Sequence, residues 1–130
     1  MELNEYQELA RKTAIYPTFY LAGEITTEEL EALIASGKLR PAAWVYPTLG
    51  LSGETGEVAE RMKKLSRDAG GLLTPDQLVR IKKEVGDALW YIANVCHELN
   101  TTMSDVATEN IAKLKARQIK GTLHGEGDER

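Results

Sequence analysis

TPDQLVRIKKEVGDALWYIANVCHEL, residues 74–99, is the stretch of sequence that decides the fold. Thr74 is a good helix N-cap, Pro75 suits the first helical position, and Gln77 completes a capping box. Apolar residues then recur every three or four positions, as they do on the buried face of a helix. The stretch therefore predicts one long amphipathic helix that ends at about Leu99.

Four further helices are predicted on either side of this segment, and the alternating pattern typical of strands is absent from the sequence. Their predicted ranges are residues 2–14, about 27–36, about 48–67 and about 104–119. Residues 38–47 are predicted to form a packed loop, and residues from about 120 to 130 a Gly-rich tail. Helices joined by short links predict an all-α fold, a bundle of four or five helices.

The composition limits the classes of protein to which the chain can belong. Its 130 residues are 42% hydrophobic and 28% charged, which predicts a single globular domain over residues 1–130. No apolar run approaches the roughly 20 residues of a membrane span, and the first residues lack the pattern of a secretion signal. The single cysteine, Cys96, fits a reducing compartment, so a cytoplasmic location is expected. A net charge of −4 argues against binding to long nucleic acid.

Four acidic residues form two pairs on neighbouring predicted helices: Glu54 with Glu57, and Glu84 with Asp87. The i, i+3 spacing places both members of a pair on one helix face, at the edge of the apolar stripe. Residues 58–83 give the chain enough length to turn, so that the two helices pack antiparallel and the pairs converge. The alternative is that both pairs lie on solvated faces and bind nothing.

A converging set of four carboxylates would require a cation. Carboxylates 4–6 Å apart repel one another by several kcal/mol, roughly, at an effective dielectric near 20, so such a cluster persists only when protons or cations neutralise it. Its ligands would all be hard oxygens, which favours Mg²⁺ or Mn²⁺ over zinc or copper. The divalent ion would also allow an acidic protein to bind a polyphosphate.

Gly50, Gly53 and Gly56 recur at every third position in or near the same predicted helix. Each glycine costs about 1 kcal/mol relative to alanine inside a helix. The close approach of another backbone or of a ligand would offset that cost. The alternative is a weak helix that begins later.

The last predicted helix carries hydrogen-bond donors along one stripe: Asn110, Lys113 and Arg117, spaced i, i+3 and i+7. Such a stripe suits phosphate oxygens, although a solvated basic face near the end of a helix has the same pattern. Tyr91 follows Asp87 by one helical turn and lies on the same side of its helix.

Three stretches of the sequence resemble the MazG-type nucleoside triphosphate pyrophosphohydrolases of the all-α NTP pyrophosphatase superfamily. They are LGLSGETGEVAE (residues 49–60), KEVGDALWY (residues 83–91) and NEYQ (residues 4–7). The family's signature is E-x-x-E, a spacer and E-x-x-D, and all four acids are present here. The resemblance covers residues 2–16 and 45–119, and it leaves the role of residues 17–40 open.

The resemblance implies hydrolysis of an NTP or dNTP between the α- and β-phosphates, which yields the monophosphate and pyrophosphate and clears unwanted nucleotides from the pool. It implies that Mg²⁺, for which Mn²⁺ can substitute, is held by four residues: Glu54, Glu57, Glu84 and Asp87. Glu57 is the candidate catalytic base. The implied substrate contacts come from Tyr91, Asn110, Lys113 and Arg117.

The family also implies assembly into a homodimer or a tetramer. Two alternatives to the main functional hypothesis remain at this point. One is an activity like that of phosphoribosyl-ATP pyrophosphatase, which uses the same metal chemistry. The other is a non-catalytic helical module that binds a metal ion or a protein partner.

Overall fold

The computed structural model describes residues 1–16, 26–36 and 44–122. These residues form five α-helices: α1 (Leu3–Lys12), α2 (Thr27–Ala35), α3 (Val45–Ala69), α4 (Pro75–Glu98) and α5 (Met103–Lys120). The described residues contain no strand, and the predicted all-α class is confirmed. None of their helices is long and apolar enough to cross a membrane.

Helix α4 begins as its sequence predicts. The Thr74 hydroxyl accepts a hydrogen bond from the Gln77 N–H, and the Gln77 side chain accepts one from the Thr74 N–H at 2.9 Å. Pro75 is the first helical residue, where the missing N–H costs nothing. Glu98 is the last, and Leu99 caps the C-terminal end. The local capping chemistry therefore fixes the start of the helix that carries Glu84 and Asp87, two of the four paired acids.

Helix α3 begins earlier than predicted, at Val45 rather than about Thr48. The predicted loop over residues 38–47 is therefore wrong for residues 45–47, which are helical. Pro47 occupies the first turn of α3, where backbone N–H groups have no acceptor within the helix. A proline in this place extends the helix backwards instead of marking its boundary.

The ends of the first and last helices differ slightly from the prediction. Helix α1 stops at Lys12 because Thr13 turns back on it, and both its N–H and its hydroxyl donate to the Ala10 carbonyl oxygen, at 3.1 and 2.8 Å. Helix α5 ends at Gly121, whose φ of 70° is the left-handed conformation that glycine adopts readily. The remaining loop residues 38–43 and most of the predicted tail, residues 123–130, lie outside the described residues.

Helices α3 and α4 make the most extensive contact of the bundle, and α1 packs against α4 and α5. The buried core lies between α1, α4 and the start of α5, and it consists of Ala10, Ala93, Cys96 and Met103, with Tyr6, Leu89 and Trp90 packed against it. The α3–α4 pair therefore places the two acidic segments side by side, as the spacing between them predicts.

Two amide side chains of α1 hold the start of α5. The Met103 N–H donates to Gln7 Oε1 at 2.8 Å, and Gln7 Nε2 donates to the Thr101 carbonyl oxygen at 2.9 Å. The Ser104 N–H donates to Asn4 Oδ1 at 3.1 Å. These bonds give partners to N–H groups of the first turn, which have none within their own helix. The first helix thus caps the fifth.

Candidate functional site

Three carboxylates meet between α3 and α4. Glu54, Glu84 and Asp87 each have an oxygen within 4.8 Å of an oxygen of both others. Glu84 is largely buried, Glu54 is half-buried and Asp87 is exposed. The cluster thus lies at the edge of the α3–α4 contact and is open to solvent on one side, as the position of the acids beside the apolar stripes predicts.

The pKa of the Glu54 carboxyl is raised above its ordinary value. Partial burial is the largest cause, because it disfavours the charged form. The negative charges of Glu57, Asp87 and Glu84 raise the pKa of Glu54 further. Carboxylates that repel one another in this way bind a divalent cation favourably, and a set of oxygen ligands alone fits a hard ion such as Mg²⁺ or Mn²⁺. The residues present therefore fit the metal site that the sequence predicts.

Glu57, the fourth acid, lies outside the group of three whose oxygens share the 4.8 Å limit. Its side chain is exposed on α3, one turn after Glu54, and it is near enough to contribute to the raised pKa of that residue. Glu57 thus borders the cluster from the solvent side.

Arg61 of α3 binds one member of the cluster. Its Nε and Nη2 atoms both donate to Oε1 of Glu84, at 3.1 and 2.9 Å. The Glu84 side chain is only 12% exposed, whereas that of Arg61 is 39% exposed. One arginine therefore accompanies three carboxylates, and the site keeps an excess of negative charge.

Tyr91 stands beside the carboxylates, one turn after Asp87. Burial raises the pKa of the Tyr91 hydroxyl, Tyr46 raises it further through its charge and a hydrogen bond, and the charges of Glu54 and Asp87 add to the shift. The ring of Tyr91 covers Gly50 of α3, where an added Cβ would lie 2.1 Å from the Tyr91 Cε1 atom. Gly50 is therefore closely approached, but by a side-chain ring and not by the backbone or ligand expected from the sequence.

The other two glycines of that pattern have no close neighbour. A Cβ added at Gly53 or Gly56 would meet nothing within 4 Å among the described residues. The close approach that explains Gly50 therefore does not explain Gly53 or Gly56.

An aromatic cluster extends from Tyr91 away from the carboxylates. Tyr46 is tilted against Tyr91 with 6.4 Å between ring centroids, and Tyr16 stacks on Tyr46 at 5.0 Å. Trp90 meets the rings of Tyr91 and Tyr16 edge to face, at 4.9 and 6.4 Å. Edge-to-face and offset contacts are the favourable arrangements of aromatic rings. The cluster gives the Tyr91 ring a defined position next to the acids.

The hydroxyl of Tyr16 ends this cluster in a buried polar network. It donates to Glu98 Oε1 at 2.8 Å and accepts from Arg11 Nη1 at 3.0 Å. Burial and then the hydrogen bond to Glu98 raise the pKa of Tyr16 well above its usual range. The hydroxyl therefore stays protonated and remains a donor to Glu98.

The donors of α5 are not among the residues that the structure gathers at the cluster. Asn110 and Lys113 are exposed, whereas Arg117 is buried, with 6% of its surface exposed. Among the described residues, α5 packs against α1 and α4 and makes no contact with α3, the helix of Glu54. A single chain thus leaves most of the donor stripe facing solvent.

The comparison with known protein families matches the same part of the chain that builds the carboxylate cluster. Residues 47–121 match the MazG nucleotide pyrophosphohydrolase domain. The chain belongs to the MazG nucleotide pyrophosphohydrolase family. The chain is also similar to the Gene 37 protein of Mycobacterium phage L5, with 35% identity over 130 residues that cover 100% of both proteins. No solved structure matches the chain.

Membership of the MazG family supports a nucleotide pyrophosphohydrolase activity, and hence a nucleotide substrate, in general terms. The matched region contains all four acids of the expected signature, and three of them share the cluster. Two residues that the structure places beside the cluster or beside Tyr91, Arg61 and Tyr46, are absent from the sequence-based prediction. Tyr46 fell in the segment assigned to a loop, and the only local signal at Arg61 points to Glu57, four residues earlier on the same helix.

Proposed function

We propose that this chain hydrolyses (d)NTPs between the α- and β-phosphates, in a reaction that depends on Mg²⁺, to give the (d)NMP and pyrophosphate. The three-carboxylate cluster of Glu54, Glu84 and Asp87 within the MazG-matching region is the observation that carries the proposal. Its excess negative charge and its oxygen ligands favour the binding of a divalent cation, and Mn²⁺ is expected to be able to substitute for Mg²⁺. Removal of unwanted nucleotides from the pool is the corresponding role.

The proposed roles follow from where each side chain lies. Glu54, Glu84 and Asp87 would hold the ion between α3 and α4. A divalent ion bound there supplies orientation of the triphosphate, a lowered pKa of the attacking water and charge stabilisation of the leaving pyrophosphate. Glu57 is exposed beside the cluster, so it can accept the proton of the attacking water or serve as a further ligand.

The substrate contacts are proposed on two elements. Tyr91 has its ring held against Gly50 and lies within electrostatic range of Glu54 and Asp87, so its hydroxyl is available to a substrate bound at the cluster. Asn110, Lys113 and Arg117 remain the proposed donors from α5. Because α5 does not contact α3 within the described residues, a substrate bound in one chain is expected to reach these donors through assembly.

We also expect a homodimer or tetramer. Apolar side chains remain half exposed on the described helices: Met62, Val85, Ile92, Val106, Ile111 and Leu114. A mostly apolar cavity of about 330 Å³ opens between α3 and α4, with Val58, Leu89 and Ile92 among its lining residues. Burial of such a surface against a second copy is favourable by about 25 cal/mol per Å². Light scattering on the purified chain measures the assembly.

The test is pyrophosphate release from a panel of NTPs, dNTPs, modified nucleotides and phosphoribosyl-ATP. With Mg²⁺ or Mn²⁺ present, at least one (d)NTP should be cleaved to its monophosphate, and chelation of the metal should stop the reaction. Glu54→Gln and Asp87→Asn should each lower turnover by more than about a hundredfold, beyond the 10- to 100-fold typical of residues that only orient ligands. Both variants should keep the helical circular dichroism spectrum.

Glu60→Gln is the matched control, because Glu60 is an exposed acid of the same helix that pairs with Lys63 and Lys64. It should keep its turnover. Cleavage of phosphoribosyl-ATP alone would favour the phosphoribosyl-ATP pyrophosphatase reading. If the whole panel survives intact with metal present, the hydrolase proposal is wrong and the non-catalytic module takes its place.

A further inference from the structure

The ion pair between Arg61 and Glu84 differs from the other pairs of α3. The pairs Glu60–Lys63, Glu60–Lys64 and Arg67–Asp68 join residues of the same helix, and all their side chains are at least 42% exposed. Pairs of that kind contribute little to stability. Arg61 instead reaches across to α4 and ends on a carboxylate that is only 12% exposed.

The geometry of the pair leaves part of Glu84 available. Both N–H groups of Arg61 end on the same oxygen, Oε1, at 3.1 and 2.9 Å. An ionised carboxylate has two oxygens and about four sites at which it can accept a bond. Oε2 of Glu84 therefore accepts no hydrogen bond from Arg61, and the guanidinium fixes the direction of the whole carboxylate through the other oxygen.

The net charge of the site is consistent with one oxygen of Glu84 being left for a cation. Glu54, Glu84 and Asp87 contribute three negative charges at the cluster, and Arg61 contributes one positive charge. With Glu57 at the border of the cluster, the remaining excess is at least two negative charges. Arg61 is thus no substitute for a divalent ion, because it leaves the cluster at least two charges short of neutrality.

We propose that Arg61 is a positioning residue of the metal site, which holds Glu84 by one oxygen so that the other is presented to a divalent ion shared with Glu54 and Asp87. The inference rests on the proposed function, because it assigns a role toward the ion of that site. Partners that orient a metal ligand typically account for a 10- to 100-fold difference in metal affinity. The competing explanation is that Arg61 only supplies a compensating charge to a buried glutamate.

A lysine at position 61 separates the two explanations. Arg61→Lys keeps the positive charge, but a single ammonium group lacks the planar pair of N–H groups that grips one oxygen. Positioning predicts that Arg61→Lys and Arg61→Gln both weaken metal binding. Charge compensation predicts that Arg61→Lys behaves as the wild type, and that Arg61→Gln binds the metal more tightly because a nearby positive charge is gone.

The experiment measures Mn²⁺ binding to the purified full chain without nucleotide, by electron paramagnetic resonance. Both Arg61 variants should bind Mn²⁺ about tenfold more weakly or worse, with an altered spectrum of the bound ion. Lys64→Gln is the matched control, because Lys64 is a cation of the same helix, three residues after Arg61, but pairs with Glu60. It should keep the wild-type affinity. Circular dichroism verifies that each variant is folded.

Two results would overturn the inference alone: an Arg61→Gln variant that binds Mn²⁺ at least as tightly as the wild type, or an Arg61→Lys variant with wild-type affinity. A third result reaches further. If the wild-type chain binds no Mn²⁺, or if the Mn²⁺ it binds is also bound by Glu54→Gln, the proposed metal site is wrong. Arg61 then has no metal ligand to position. The two failures are therefore distinguishable on the same set of proteins.

Discussion

Two glutamates of α4 each bind an arginine from another helix, and the two sites differ in the charges that surround the pair. Glu98 accepts hydrogen bonds at Oε1 from Arg11 at 3.0 Å and from the Tyr16 hydroxyl at 2.8 Å. The amide of Asn94, which is 1% exposed, completes this network: its Oδ1 lies 3.3 Å from the Tyr16 oxygen, and its Nδ2 donates to the Trp90 main-chain carbonyl oxygen. Glu98, Arg11 and the neutral side chains of Tyr16 and Asn94 thus form a network whose charges compensate each other. This network is called the closed site.

Glu84 has the same exposure as Glu98, 12% of its side chain, and a bond of similar length to its arginine. It differs because two further carboxylates, those of Glu54 and Asp87, lie beside it. The comparison shows that burial and an ion pair alone do not distinguish a structural glutamate from a proposed metal ligand. The balance of charge around the pair does, since Arg11 compensates Glu98, whereas the carboxylate cluster keeps an excess of negative charge that protons or a cation must neutralise.

The largest expected effect on stability is at the closed site. Arg11→Ala should lower the free energy of unfolding by about 2 kcal/mol, the range of a hydrogen bond to a charged group, because Glu98 would remain largely buried without its cation. Chemical denaturation measures the change. The Mn²⁺ affinity should stay the same, because the network lies apart from the carboxylate cluster.

Arg80→Ala is the control for this comparison, since Arg80 and Asp76 are both more than half exposed. Its loss should cost less than about 0.5 kcal/mol. Equal destabilisation by Arg11→Ala and Arg80→Ala would mean that the closed site contributes no more to stability than an exposed surface pair. The prediction for the closed site would then be wrong.

A second prediction concerns packing at the carboxylate cluster of Glu54, Glu84 and Asp87, called the open site. Gly50→Ala should lower the free energy of unfolding by about 1–2 kcal/mol, as overpacking does, because the new Cβ would lie 2.1 Å from the Tyr91 ring. Thermal denaturation measures the change, and KM for the nucleotide should rise because the ring is displaced.

Gly53→Ala and Gly56→Ala meet open space, so each should increase stability by up to about 1 kcal/mol. Stabilisation by all three alanines would contradict the packing of Tyr91 on Gly50.

The smallest predicted effect is the pH response of the open site in metal-free buffer. The pKa of Glu54 is raised, so the folded protein takes up its proton more readily than the unfolded chain does. Stability should therefore increase as the pH falls through the raised pKa, and this gain is complete below the ordinary value of 4.5. Glu54→Gln should have the higher Tm at neutral pH, and the difference should vanish in acid.

Glu60→Gln provides the opposite sign, because Lys63 and Lys64 lower the pKa of Glu60. Its folded form prefers the ionised group, so the wild type should be slightly more stable than this variant above pH 4.5, and the advantage should be lost as the pH falls. If the stability differences between the wild type and Glu54→Gln and between the wild type and Glu60→Gln changed with pH in the same direction, the two predictions would be contradicted.

The helices and the meeting of the acids are predictable from the sequence because their signals are local or periodic. Thr74 and Gln77 fix the start of α4, and two i, i+3 pairs beside apolar stripes bring Glu54 to Glu84. The partner of Arg61 is not predictable in this way. Local spacing favours Glu57, and the choice of Glu84 depends on the distance between two packed helices.

The early start of α3 is a further case, since Pro47 reads equally as a boundary or as a first-turn residue. The stack of Tyr16 on Tyr46 also escapes prediction, because it joins residues on either side of a segment without clear periodicity. Contacts of this kind follow from packing in three dimensions rather than from spacing along one helix.

The capping of α5 by α1 has a consequence for how the bundle forms. Asn4 and Gln7 leave the ribosome long before their partners, which lie 94 to 100 residues later in the chain. During synthesis these amides bind water, and the loop that must close grows costlier by only about 0.6 kcal/mol for each doubling of its length. Docking of the first helix onto the fifth is therefore expected to be a late step of folding, when α5 acquires the partners of its first turn.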